Sequence, residues 1–244
     1  MHIGLFIPCY VDQFYPQAGI ATLELLEKLG CSVGYPSGQT CCGQPLANAG
    51  FARRTTGIDA NFLRNFEQYD YIVSPSGSCV LHVHEHLSAY HPGNGTAHPR
   101  KIFELCEFLT DVLQVKSLNA RFPHRVGLHV SCHGQRGLHL SSMSETVGPA
   151  FSKPLTLLGM VEGLELVGLD RPDECCGFGG TFAVFEEAVS VKMGKDRLAD
   201  HLSKGAAYIT GGDMSCLMHL EGLLRRQGST VQVLHIAEIL NFEV

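Results

Sequence analysis

The chain has 244 residues, 45% of them hydrophobic, and a formal charge of −6 at pH 7. That length allows one large domain or two of about 120 residues. The 18 lysines and arginines are scattered along the chain, which argues against a nucleic-acid partner. No run approaches the ~20 apolar residues of a membrane span, and the start, MHIGLFIPCY, does not resemble an export signal. We therefore expect a cytoplasmic protein without membrane insertion.

Ten cysteines are the most informative feature of the composition. A reducing cytosol keeps structural disulfides from forming, so this many thiols indicate metal binding or redox chemistry. Four of them form the adjacent pairs Cys41-Cys42 and Cys175-Cys176. Neighbouring cysteines rarely bond to each other because the bridge strains the peptide between them. The pairs therefore point to a shared metal or cluster.

The first half begins with the short apolar run HIGLFIP, which predicts a buried strand ending at Cys9. A helix with apolar positions at Ala21, Leu25, Leu26 and Leu29 follows, then a strand over residues 31–35 and the turn TCCGQP. Residues 47–68 have helical composition. The run YDYIVSPSGSC predicts a strand and turn that deliver Cys79 to the start of a helix, and KIFELCEFL predicts a closing helix.

The second half repeats these landmarks in the same order. RVGLHVS delivers Cys132, LELVGL leads to ECCGFGG, residues 181–202 are helical in composition, and AAYITGGDMSC delivers Cys216. VLHIAEILNF predicts the closing helix. This recurrence indicates an internal duplication. We predict two domains, residues 1–118 and 119–244, with the boundary in the polar stretch VKSLNARFPH.

Strands that alternate with helices predict parallel pairing, because a parallel crossover needs that length of chain. Each half is therefore expected to be a small, doubly wound, Rossmann-like α/β domain, and the duplication predicts pseudo-twofold symmetry between the two. Ligands of such sheets bind beyond the carboxyl ends of the strands. Every repeated cysteine lies at a predicted strand end or in a loop.

Each half contributes four repeated cysteines, which we name the first and second quartets. The first quartet is Cys9, Cys41, Cys42 and Cys79, and the second is Cys132, Cys175, Cys176 and Cys216. Four thiolates match the ligand count of a [4Fe–4S] cluster and of structural zinc. Three separate loops and adjacent cysteines favour up to two iron–sulfur clusters, while zinc remains an alternative. Cys31 and Cys106 are not matched by a cysteine in the other half, and Cys106 aligns with Ala237, so we expect both to pack in the core.

The repeated motifs resemble the cysteine-rich-domain (CCG) family, whose members include chains of heterodisulfide reductase and of glycolate oxidase. The matching residues are Cys9, Cys132, CCG at 41–43 and 175–177, SGSC at 76–79 and DMSC at 213–216. The resemblance is nearest to free-standing two-copy members, which act with two partner proteins in oxidising L-lactate to pyruvate. It implies an iron–sulfur electron-transfer subunit of such an oxidoreductase complex, with two further subunits as partners. We find no flavin or nicotinamide fingerprint and assign no catalytic residue.

The family's fullest pattern ends each copy in Cys-x-x-Cys and provides five cysteines for disulfide cleavage. Here Ser76 or Asp213 occupies the first of these positions, so we expect four-cysteine sites for electron relay. Ser and Asp favour helix caps, and an oxygen ligand to iron is the other interpretation. Two other functions stay open: a thiol–disulfide or heterodisulfide reductase chain, and a non-enzymatic zinc-binding scaffold.

Overall fold

A computed structural model describes residues 1–87 and 101–243. Each half contains a four-stranded parallel sheet, with the same strand order in both: β2-β1-β3-β4 and β6-β5-β7-β8. The strands are β1 (His2–Leu5), β2 (Ser32–Gly34), β3 (Tyr71–Ser74), β4 (Ile102–Glu104), β5 (Arg125–Leu128), β6 (Glu165–Leu166), β7 (Tyr208–Gly211) and β8 (Gln232–His235). The predicted α/β class, parallel pairing and duplication are confirmed.

Helices connect the strands, as crossovers between parallel neighbours require. They are α1 (Cys9–Phe14), α2 (Pro16–Lys28), α3 (Gln44–Leu46), α4 (Thr56–Phe66), α5 (Gly77–His86), α6 (Leu105–Glu107), α7 (Lys153–Leu158), α8 (Phe182–Phe185), α9 (Glu187–Ser203), α10 (Met214–Arg226) and α11 (Ile236–Leu240). Within the described residues, no helix is both long enough and apolar enough to cross a lipid bilayer.

The helix predicted for residues 47–68 is only partly correct. The regular helix α4 begins at Thr56, and irregular helical turns occupy Ala47–Phe51 and Ala52–Arg54. Gly50 adopts a φ of 89° there, a left-handed conformation that interrupts a right-handed helix. Composition alone did not reveal this break, because the surrounding residues are compatible with a helix.

The fourth strand of each sheet was also missed. The segments predicted as closing helices begin with β4 and β8, and a cap residue then turns each strand into a helix. Glu104 accepts hydrogen bonds from the backbone N–H groups of Cys106 (2.7 Å) and Glu107 (3.2 Å). At the equivalent place, His235 Nδ1 accepts from the N–H of Ala237 at 3.1 Å. Such caps satisfy the free N–H groups of a first helical turn.

The two halves pack reciprocally around a pseudo-twofold axis. Helix α2 of the first half packs on α11 of the second, and α7 packs on α6 in the same way. At the axis, Ser76 and Asp213 form an antiparallel bridge, and Gly77 N–H donates to the Gly212 carbonyl at 3.2 Å. Side chains from both halves share one hydrophobic core, and the domain boundary between residues 118 and 119 stays a prediction.

An acid and a base occupy equivalent buried positions near this axis. Glu104 and His235 are each fully buried. Burial raises the pKa of Glu104 to about 8, although backbone N–H groups partly oppose the shift. Burial lowers the pKa of His235 to about 4. Both side chains are therefore uncharged at neutral pH, which is the form that burial favours.

The buried carboxyl predicts a pH dependence of stability. The folded pKa of Glu104, about 8, lies above the ordinary value of 4.5, so the folded state retains a proton that the unfolded chain releases. The free energy of unfolding therefore falls between about pH 5 and pH 8, by up to ~1.4 kcal/mol per pH unit. We expect Glu104→Gln to remove this contribution, so that the variant gains stability over the wild type as the pH rises.

Urea denaturation at pH 5 and pH 8 measures this difference. The control is Glu162→Gln, because Glu162 is an exposed glutamate in a surface ion pair with Arg121. Equal changes with pH in the wild type and the Glu104 variant contradict the assignment.

Candidate functional site: two cysteine quartets at one cleft

The first quartet assembles at the carboxyl edge of the first sheet. Cys9 begins α1, and three residues separate it from the end of β1. Cys41 and Cys42 lie in the loop between β2 and α3, and Cys79 lies in the first turn of α5 after β3. The Sγ atoms of Cys9 and Cys41 are 3.6 Å apart, and those of Cys42 and Cys79 are 3.4 Å apart. Four thiols from three loops thus form one continuous group.

The second quartet repeats this arrangement. Cys132 follows β5, Cys175 and Cys176 lie between β6 and α8, and Cys216 lies in the first turn of α10 after β7. Side-chain contacts join Cys132 to Cys175, Cys175 to Cys176, and Cys176 to Cys216. All eight predicted site residues therefore lie in two groups of four, and their role as ligands stays a prediction.

A left-handed glycine follows each cysteine pair. Gly43 has a φ of 92° and Gly177 a φ of 87°. The turn aims each glycine N–H back at sulfur, at 3.4 Å from the Sγ of Cys41 or Cys175. A Cβ on Gly177 would lie 2.6 Å from the Ser190 carbonyl oxygen, so no other residue fits there without displacing backbone. The glycine thus allows a tight turn that also hydrogen-bonds the thiol.

One thiol in each quartet is far more acidic than an isolated cysteine. Hydrogen bonds from Cys42 and Cys9, helped by a backbone N–H, hold the pKa of Cys41 well below its usual range. The pKa of Cys175 is lowered in the same way by its two neighbours in the second quartet. The contact with Cys41 raises the pKa of Cys9. Each quartet therefore contains one thiol of lowered pKa beside a neighbour whose pKa is raised.

This donor set fits a metal or an iron–sulfur cluster. Thiolates are the ligands of such centres, and a bound cation releases the protons of the remaining thiols. Without a cation, several thiolates within 4 Å of one another repel strongly. Convergence of four half-buried or buried thiols, with N–H donors aimed at the sulfurs, is the arrangement that cluster ligation requires.

Both quartets open onto one cleft of about 400 Å³ at the pseudo-twofold axis. Ser76, Ser78 and Asp213 line it between the quartets. Asp213 Oδ2 accepts from the Ser78 N–H at 2.8 Å, and Asp213 Oδ1 accepts from the Ser215 N–H at 3.3 Å. Ser76 Oγ accepts from the Cys79 N–H at 3.5 Å. Ser76 and Asp213 thus cap α5 and α10, which agrees with the first of their two sequence interpretations.

Sequence reasoning missed one residue of the second site. His129 is 2% exposed, and one of its ring nitrogens lies within 4.8 Å of the Sγ atoms of Cys176 and Cys216. Burial, followed by the positive charge of Arg197, lowers the pKa of His129 to about 3. The position looked like an ordinary strand residue, and only its comparison with Phe6 in the other half marks it as unusual. Cys31 and Cys106 lie in the hydrophobic core, as predicted.

Comparisons with known proteins agree with this description. The model of the cysteine-rich domain family, CCG, matches twice, at residues 3–84 and 126–221. A lactate utilization protein A from Exiguobacterium sp. is 42% identical over 98% of this chain and 97% of its own length. The protein of the same name from Macrococcus caseolyticus is 40% identical over 100% of this chain and 98% of its own length.

Among solved structures, a hypothetical protein from Helicobacter pylori has a TM-score of 0.53 and 13% identity over 98% of this chain. The chain spans 48% of that protein, and the likeness supports the fold alone. The two family matches coincide with the two halves that carry the quartets. The chain therefore belongs to the CCG cysteine-rich domain family, with two copies of the domain in one polypeptide.

Proposed function

We propose that each quartet holds an iron–sulfur cluster and that the protein carries electrons in an assembly that oxidises L-lactate to pyruvate. The observation that supports this most is the convergence, twice, of four thiols from three loops at the carboxyl edge of a parallel sheet. The relatives named lactate utilization protein A match along nearly their full length, which supports the metabolic role.

A bound iron–sulfur cluster supplies one-electron storage at each site. The chain's own residues provide the ligands and their setting. Gly43 and Gly177 direct backbone N–H groups at sulfur, and Phe178 N–H does the same toward Cys176 Sγ at 3.4 Å. Such donors stabilise negative charge on the ligands. Cys41 and Cys175, the acidic thiols, supply the first thiolate of each site.

Two one-electron sites at a shared cleft suit the oxidation of lactate, which yields two electrons and two protons. We propose that two partner subunits provide the centre that takes these electrons from lactate, and that the assembly works in the cytoplasm. The protein then acts as a subunit that relays electrons between centres. Ser76 and Asp213 stand where the reductive pattern has its fifth cysteine, so each site has four cysteines, and the two side chains cap α5 and α10 instead.

Zinc is a second candidate for the second site. His129, Cys176 and Cys216 bring three ligand atoms within 4.8 Å of one another, and one more thiol of the second quartet would complete the set of three cysteines and one histidine that structural zinc accepts. Metal analysis distinguishes the two: zinc without acid-labile sulfide indicates a scaffold, whereas iron with sulfide indicates clusters.

Removing one ligand from each quartet tests the assignment. After anaerobic purification, [4Fe–4S] clusters at both sites give ~8 iron and ~8 sulfide per chain. We expect Cys42→Ser and Cys176→Ser each to lose about half of both, because each removes a ligand from a different quartet. The control is Cys106→Ala, since Cys106 is a buried core residue outside the two quartets and aligns with Ala237 of the second half. Unchanged iron and sulfide in both serine variants would contradict cluster ligation.

The lactate role is tested in the assembled state. The tagged chain is isolated anaerobically from cells of its own species grown on L-lactate, together with the proteins that accompany it. We expect added L-lactate to form pyruvate and to produce the electron paramagnetic resonance signals of reduced clusters. In a Cys42→Ser/Cys176→Ser double variant, the partner proteins should still co-purify, but these signals should be missing.

Clusters that dithionite reduces but L-lactate does not would contradict the lactate role. Turnover of a disulfide by the isolated chain would instead favour a thiol–disulfide or heterodisulfide reductase.

A further inference from the structure

The two halves differ in the buried side chains between the central strand and the helix that packs on it. In the first half, Phe6 follows β1 and packs edge-on against Phe62 and Phe66 of α4, with ring centroids 5.2 and 5.6 Å apart. All three rings are buried. At the corresponding places, the second half has His129 after β5, and Arg197 and His201 one helical turn apart on α9. These three are also buried.

The glycines of the central strands show that these places are equivalent. A Cβ on Gly4 of β1 would lie 2.8 Å from the Phe66 ring, and one on Gly127 of β5 would lie 2.2 Å from His201 Nδ1. In both halves a helix side chain thus packs against the glycine of the central strand. That side chain is the Phe66 ring in the first half and the His201 imidazole in the second. The two halves therefore share a backbone arrangement but differ in the side chains packed against it.

His129 faces the second quartet without another partner. Neither of its ring nitrogens has a hydrogen-bond partner among the described residues, and the side chain is 2% exposed. One ring nitrogen lies within 4.8 Å of Cys176 and Cys216 Sγ. A buried imidazole nitrogen without a partner is costly, so a negatively charged group held by the second quartet would stabilise an N–H at this position by accepting its hydrogen bond. Phe6 offers no such donor to the first quartet.

Arg197 adds a permanent positive charge to the same region. The side chain is fully buried, and Nη1 donates to the Arg171 carbonyl and lies 3.4 Å from Asp200 Oδ2. Nε and Nη2 have no partner within the described part of the chain. Asp200 offsets part of the charge, but its two oxygens also accept backbone N–H groups, each at 3.0 Å. Cys176 of the second quartet lies close enough to Arg197 for negative charge on its sulfur to favour the charged guanidinium.

We propose that His129 and Arg197 give the group at the second quartet a higher reduction potential than the group at the first. This inference rests on the proposed function. Reduction adds negative charge, and a cation and an N–H donor stabilise that charge, whereas three aromatic rings do not. An electron shared between the two sites therefore resides at the second, and the chain passes electrons from its first half to its second.

An anaerobic redox titration followed by electron paramagnetic resonance tests this order. The Cys42→Ser variant retains only the second site, and the Cys176→Ser variant retains only the first. Their spectra therefore assign each signal to one half. We expect His129→Phe, which copies the first half, and Arg197→Met each to lower the second potential. A tenfold shift of the reduction equilibrium, or ~59 mV for one electron, is the expected size for each. The potential of the first site should not move.

Two further variants separate charge from packing. Arg197→Lys keeps the positive charge, so it should restore most of the potential that Arg197→Met loses. Lys195→Met removes an exposed cation from the same helix, where solvent screens its charge, so neither potential should change. Iron and sulfide contents confirm that each variant still holds both groups. If the Arg197 variants do not fold, His129→Phe decides the question.

Two signals of equal potential, or a second potential that His129→Phe leaves unchanged, would overturn this inference and leave the proposed function standing. Loss of cluster signals from both halves of the wild-type protein would contradict the proposed function and this inference together.

Discussion

Parallel strands that end at a common edge bring together thiols that are far apart in the sequence. Cys9, Cys41 and Cys79 follow three different strands of one sheet, and their loops meet because β1 lies between β2 and β3. The second sheet repeats the order, so the second quartet forms in the same way. Every functional proposal for this chain depends on that convergence, because isolated cysteines in separate loops bind no cluster.

The pseudo-twofold axis brings the two quartets to one cleft. Reciprocal packing of α2 on α11 and of α7 on α6 fixes the orientation of the halves, and the bridge between Ser76 and Asp213 joins the turns that precede Cys79 and Cys216. Residues equivalent by duplication therefore become neighbours at the axis. Their chemistry has diverged there, since Glu104 and His235 occupy matched buried positions with opposite shifts of pKa.

Much of this organisation was predictable from the sequence because each motif occurs in both halves of the duplicated chain. The quartets, the strand-end cysteines and the parallel sheets followed from matching the two halves. The fourth strands did not, because β4 and β8 are three and four residues long and run directly into helices. Their boundaries depend on the caps formed by Glu104 and His235, which are tertiary features of buried side chains. Burial of His129 and Arg197 is a tertiary feature that the sequence does not show, and His129 stands out only when it is aligned with Phe6 of the other half.

Both quartets are proposed to hold iron. Diffraction data collected across the iron absorption edge from anaerobically grown crystals test this most directly. We expect two separate groups of anomalous density, one among the sulfurs of Cys9, Cys41, Cys42 and Cys79 and the other within the second quartet. A single metal between the halves, zinc at both sites, or no anomalous density beside the eight thiols would contradict it.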